Sequence, residues 1–128
     1  MVLDRDDVIY KEYRNKLTEQ DYGLIVIRDK MSKGEIDFVG LAWEANPGDP
    51  EPIAILQENL RAVIHDLSDR KMVAACIRAN DEYGQSTVVN ACDTDWIDWE
   101  EILHQEGIVV EQLIEEWVRE KWAEKHPN

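Results

Sequence analysis

Apolar residues change their spacing several times along the chain, and each change marks an expected element. Ile9, Tyr13 and Leu17 recur every fourth position behind Asp4, Asp6 and Asp7. Acids at the positive end of an amphipathic turn predict a helix over residues 5–20, with Gly23 as its exit. The β-branched run 24–27 then reads as a strand, residues 29–34 as a turn, and residues 35–45 as the returning strand of a hairpin. In that second strand Ile36 and Phe38 alternate against Val39, Leu41 and Trp43, so either both sheet faces are covered or Gly40 marks a bulge.

Three of the four prolines fall in residues 46–52, which removes backbone donors and excludes regular pairing there. Behind them Ile53, Leu56, Leu60, Val63, Ile64 and Leu67 form one stripe at helical spacing, predicting a helix over 52–69 packed on a sheet. Residues 72–79 and 86–92 flank the polar stretch 80–85 and read as a second hairpin, with Ala74, Ala75 and Ala91 leaving room for a close helix. Thr94 or Asp95 can cap a third helix carrying Trp96, Trp99, Ile102 and Leu103, with Asp98 placed to accept a free amide and Gly107 to end it. Val110, Leu113, Ile114, Trp117 and Trp122 predict a fourth helix from about residue 109. The expected order is α-β-β-α-β-β-α-α: an α+β fold with a mainly antiparallel sheet of about four strands, two hairpins, and helices packed around it.

Length and composition set the scale. A chain of 128 residues, 44% of them hydrophobic, is expected to form a single domain over 1–128 that builds its own core without disulfides or metal. No apolar run approaches the roughly 18 residues that a membrane span needs. Cys76 and Cys92 lie in strand-like runs without a disulfide framework, so a reduced, cytoplasmic chain with packing thiols is expected.

Candidate chemistry is sparse. Asp93 and Asp95 match the first and third positions of a calcium loop, but Asp98 stands where glycine should turn the chain and His104 where a bidentate glutamate belongs, so helix capping is the better reading. His65, His104 and His126 have no zinc-type spacing with each other or with Cys76 and Cys92, which leaves only convergence in space. Arg78 is the one positive charge near Cys76, too little to activate a thiolate. The six glycines are isolated from one another, so no phosphate loop is present. With no catalytic residue, cofactor or metal site nominated, the sequence favours a non-enzyme.

Charge is the remaining asymmetry. Twenty-eight acids oppose 14 bases for a net charge of −14, which disfavours direct binding to nucleic acid or anionic lipid. From Asp93 onward there are eleven acids and three bases, a balance of −8, so a helix-turn-helix reader around residues 105–108 would repel phosphates. Such a tail fits a basic protein surface. Glu100, Glu101, Glu111, Glu115 and Glu116 are the candidate partner-binding acids, with Trp96 and Trp99 as aromatic anchors among them where they reach the surface, while Trp117 reads as core. The leading expectation is a small acidic interaction protein, an inhibitor, immunity-type protein or adaptor, whose partner has a basic surface, a protein that itself handles nucleic acid being one such partner. The alternative is a homodimeric small-molecule sensor whose pocket lies near Trp43 or a strand edge, rimmed by the proline-rich loop 46–52.

Overall fold

The computed structural model describes residues 1–16, 22–84, 86–90 and 93–127. Its elements run β1 (Val2–Asp4), α1 (Val8–Lys16), α2 (Tyr22–Ser32), β2 (Asp37–Val39), β3 (Trp43–Glu44), β4 (Ile53–Ala54), α3 (Glu58–Arg61), α4 (Arg70–Tyr83), β5 (Thr87–Asn90), α5 (Asp95–Gln105), β6 (Val109–Gln112) and α6 (Glu115–Lys125). The fold is α+β, but the expected four-stranded antiparallel sheet is replaced by three two-stranded ladders. β1 pairs with β2 in parallel, Leu3 opposite Phe38. β5 pairs with β6 in parallel, Val88 opposite Val110, and only β3 and β4 are antiparallel. Parallel partners require a crossover, and here helices supply it: α1 and α2 lie between β1 and β2, and α5 lies between β5 and β6. Neither expected hairpin forms.

Two expected strands are helical. Residues 24–27 lie in α2, where Leu24 and Ile27, three apart, are buried while Ile25 is exposed. Gly23 therefore stands inside this helix and does not end the first one; residues 17–21 lie outside the described residues. Residues 72–79 belong to α4, the central helix. Val73, Ala74 and Cys76 join a cluster with Leu60, Ile64, Trp99 and Leu103, while Ala75 and Ala79 join a second cluster with Leu3, Ile9 and Val39. A helix buried on two sides has a wide apolar arc, and a wide arc resembles a buried strand when read along the chain. The opposite correction holds for 52–69. Its stripe is buried at Ile53, Leu56, Leu60 and Ile64, but by β4, the short α3 and irregular backbone that crosses the larger cluster.

The termini of the elements follow local chemistry. The carboxylate of Asp4, which is fully buried, accepts backbone hydrogen bonds from Asp6 (3.1 Å), Val8 (3.0 Å) and Ile9 (2.8 Å), satisfying donors at the start of α1. Gly107 ends α5 as expected. With φ +79° it lets its own N–H reach His104 O (3.0 Å) and that of Ile108 reach Leu103 O (2.8 Å), a Schellman closure sealed by the buried Leu103 and Ile108. The expected fourth helix splits: residues 109–112 form β6 and only 115–125 form α6, so α5 and α6 are separated by a strand and make no helix-turn-helix. Among the described residues no helix is long and apolar enough to cross a membrane.

Candidate functional site

α5, β6 and α6 enclose an open groove of about 1030 Å³. α5 contributes Asp98, Glu100, Glu101 and His104; β6 contributes Glu111 and Gln112; α6 contributes Glu115, Arg119 and Trp122. The last three stand at i, i+4 and i+7, so one face of α6 forms a wall. Among the described residues, five carboxylates thus share the groove with one guanidinium.

One of those carboxylates is held from behind. Asn90, buried at the end of β5, donates from Nδ2 to Asp93 O (2.8 Å) and to Gln112 Oε1 (2.7 Å). Gln112 Nε2 in turn donates to Glu100 Oε1 (2.9 Å). Arg119 Nη2 donates to both oxygens of Glu100 (3.0 and 3.2 Å), and its Nε to Glu115 Oε1 (3.1 Å). The hydrogen bonds to Glu100 and Glu115 keep the guanidinium even more firmly protonated than usual.

Of the acids nominated from sequence, Glu100, Glu101, Glu111 and Glu115 line this groove, and Glu116 is exposed outside its lining. The tryptophans are reassigned. Trp96 and Trp99 are only 6% and 1% exposed, packed edge to face at 4.9 Å, and cannot serve as anchors among surface acids. With Leu103 they form the inward face of α5. Trp117, read as core, is instead 42% exposed, with Lys121 Nζ 5.8 Å from its ring centre. Trp122 reaches the groove, donating from Nε1 to Asp98 Oδ1 (2.7 Å) and stacking on His126 at 4.2 Å. Sequence reading missed Asn90, Gln112 and Arg119. The i, i+4 spacing of Glu115 and Arg119 was the available signal for the last of these.

A second cavity, about 460 Å³, lies between α1 and the proline-rich loop, lined among others by Asp6, Glu12, Asp49, Pro50 and Glu51. Beside it Lys71, 1% exposed, donates from Nζ to Glu12 Oε1 (3.0 Å), Glu51 Oε1 (3.2 Å), Ser68 O (2.7 Å) and Ser68 Oγ (2.9 Å). Burial pushes the Glu12 carboxyl up, but hydrogen bonds from Lys71 and Ser68, with the charges of Lys71 and Lys16, outweigh it and hold the pKa below the usual value. The indole of Trp43 donates to Asp6 Oδ2 (2.7 Å), linking Trp43 to the cavity's edge.

A third cluster joins the starts of α4 and α5. Asp66, Asp69 and Asp95 place carboxylate oxygens within 4.8 Å of one another, the one trio of histidine, cysteine or acidic side chains so arranged among the described residues. Asp69 Oδ2 is buried without a hydrogen-bond partner. Burial, then the charges of Asp66, Asp93 and Glu12, push the Asp69 carboxyl up to about 7. Burial and Asp93 also raise Asp95, against the opposing pull of His65. Oxygen donors so close fit a hard cation, and a proton retained on Asp69 relieves the same repulsion. The positive ends of α4 and α5 already stabilise part of this charge. The expected capping role differs in detail. Thr94 and Asp69 occupy N-cap positions without side-chain cap bonds, Asp93 Oδ1 accepts from the Asp95 amide (2.9 Å), and Asp98 turns to Trp122.

His65 lies edge-on to Trp99 at 5.5 Å and 3.9 Å from Asp95, while His104 lines the groove and His126 stacks on Trp122. They do not join Cys76 in a ligand trio; Cys92 lies outside the described residues. The Cys76 thiol is buried, and burial pushes its pKa up, which keeps it a packing residue. No protein-family model matches the chain, and no curated protein or solved structure matches it significantly.

Proposed function

We propose that the protein is a non-enzymatic acidic interaction module, of the inhibitor, immunity-type or adaptor kind, that receives a basic segment of a protein partner in the groove between α5, β6 and α6. The observation that carries this reading is the gathering of Asp98, Glu100, Glu101, Glu111 and Glu115 around one open groove against the single guanidinium of Arg119. Scattered acids give only solubility, whereas five facing one concavity set up a focused negative potential that draws in and orients a cationic segment. Ile97, Val109 and Trp122 in the lining add apolar contact for the stems of lysine and arginine side chains.

The test uses a lysine- and arginine-rich peptide titrated over a salt series. Glu101→Gln together with Glu111→Gln should weaken binding about tenfold at low ionic strength, taking up to about 1 kcal/mol for each exposed charge pair. The paired control Glu116→Gln with Glu120→Gln, outside the groove lining, should change it less than twofold. Equal losses in both variants, or an affinity indifferent to salt, would overturn the reading.

The cavity rimmed by Asp49, Pro50, Glu51 and Pro52 favours a second reading, a small-molecule binding module, homodimeric or not. That reading expects a ligand-dependent rise in melting temperature across a metabolite panel, abolished by filling the cavity with Asn15→Trp. A panel without any shift would count against it.

A further inference from the structure

We infer that Glu100 is a receptor for a guanidinium group, filled by Arg119 in the free protein, and that an arginine side chain of the basic partner displaces Arg119 on binding. The inference rests on the groove reading above and names the side chain that the groove selects. Most surface glutamates swing freely, but Glu100 is braced through Gln112 to the buried Asn90, so its carboxylate is oriented before any ligand arrives. Arg119 demonstrates what that carboxylate accepts. Its Nη2 meets both oxygens of Glu100 while its Nε meets Glu115, so one planar cation spans two carboxylates. A lysine ammonium can bridge two carboxylates, as Lys71 does between Glu12 and Glu51, but its one nitrogen cannot reproduce the planar, separated Nη2 and Nε donors that Arg119 presents.

Displacement is inexpensive. The side chains of Arg119 and Glu100 are 45% and 30% exposed, and an ion pair so open to water contributes at most about 1 kcal/mol. Opening the contacts of Arg119 to both Glu100 and Glu115 therefore lowers the apparent affinity for an incoming arginine no more than about tenfold. α6 does not depend on this contact alone, since Val118 is fully buried, Trp122 bonds Asp98, and Lys125 Nζ donates to Thr94 Oγ1 (2.9 Å).

Calorimetric titration of the full chain with a peptide of six arginines and a peptide of six lysines tests the inference. The wild type should prefer the arginine peptide. Arg119→Ala should bind the arginine peptide about three- to fivefold more tightly than the wild type does, with a smaller gain for the lysine peptide. Glu100→Gln should erase the preference, and Gln112→Ala, which leaves every charge in place but removes the brace, should reduce it. Circular dichroism checks that α6 persists; were Arg119→Ala to lose it, the Glu100→Gln and Gln112→Ala preferences decide the question. If the wild type binds both peptides in a salt-sensitive way but folded Arg119→Ala gains nothing, or the preference survives Glu100→Gln, this inference falls and the groove reading stands. If the wild type binds neither peptide, both fall.

Discussion

Replacing Lys71 with alanine should destabilise the fold by about 2 to 4 kcal/mol. Lys71 has almost no exposure, yet four oxygens surround its nitrogen, contributed by α1, the proline-rich loop and the turn before α4. Removing it takes the donor from Ser68 O and leaves Glu12 and Glu51 bridged by the Ser68 hydroxyl alone, with no cation between them. Their side chains are 15% and 31% exposed, so they can turn partly to water, which places the cost below that of a fully enclosed pair. Lys71→Met retains the stem and its packing and should recover about 1 kcal/mol of the loss. The pH dependence has a definite sign. Because the folded Glu12 pKa lies below its ordinary 4.5, the stabilisation is present above the unfolded pKa and disappears as pH falls through the folded value. Urea unfolding of the wild type and Lys71→Met between pH 7 and pH 3 should show the two midpoints converging in acid. A constant separation across that range would contradict the assignment of Glu12 to Lys71.

Asp69→Asn should do the reverse and stabilise the protein at pH 8. The Asp69 carboxyl is pushed from 3.8 to about 7 and so prefers to be neutral in the fold. At face value that displacement corresponds to about 4 kcal/mol. Water reaching the half-buried side chain reduces the expected gain to about 1 to 3 kcal/mol. The folded pKa is raised, so wild-type stability falls as pH climbs from about 4 towards 7 and stays lower above that. The amide carries no charge in this range, so the advantage of the variant should vanish near pH 4. No side-chain cap bond is lost, since Asp69 makes none at the start of α4. Thermal unfolding at pH 8, 6 and 4 provides the readout. A variant less stable than wild type at pH 8 would mean that the burial cost and the repulsion from Asp66 and Asp93 are relieved in some other way.

The parts of this fold legible in the sequence are those decided by neighbours in the chain. α5 is one: the acidic start, the inward spacing of Trp96, Trp99 and Leu103, and the terminating Gly107 all act within a few residues. β5 is another, and the proline-rich loop a third. What failed was decided at long range. The stripe from Ile53 to Leu67 has helical spacing because an irregular segment crosses a core whose pockets happen to fall at that interval. Residues 72–79 read as a strand because a helix between two clusters shows apolar residues on most of its circumference. Pairing direction depends on which strands the crossover helices bring together, and nothing local to 87–90 or 109–112 records that. The candidate groove was half legible. Its glutamates stand out by composition, while the Asn90 and Gln112 brace spans 22 residues of sequence and reads as ordinary polar surface. Trp117 and Trp99 exchanged their expected places because both sit in periodic apolar patterns, and only packing decides which pattern faces inward.

The uneven anchoring of the helices gives the molecule a graded response to thermal fluctuation. α4 contributes buried residues to both core clusters, so its amides should be among the last to exchange with solvent. α6 has one buried residue, Val118, and otherwise grips through polar contacts at its surface. Its hydrogens should exchange far sooner, so one wall of the acidic trough should open more readily than the opposite wall, which is rooted in the tryptophan core.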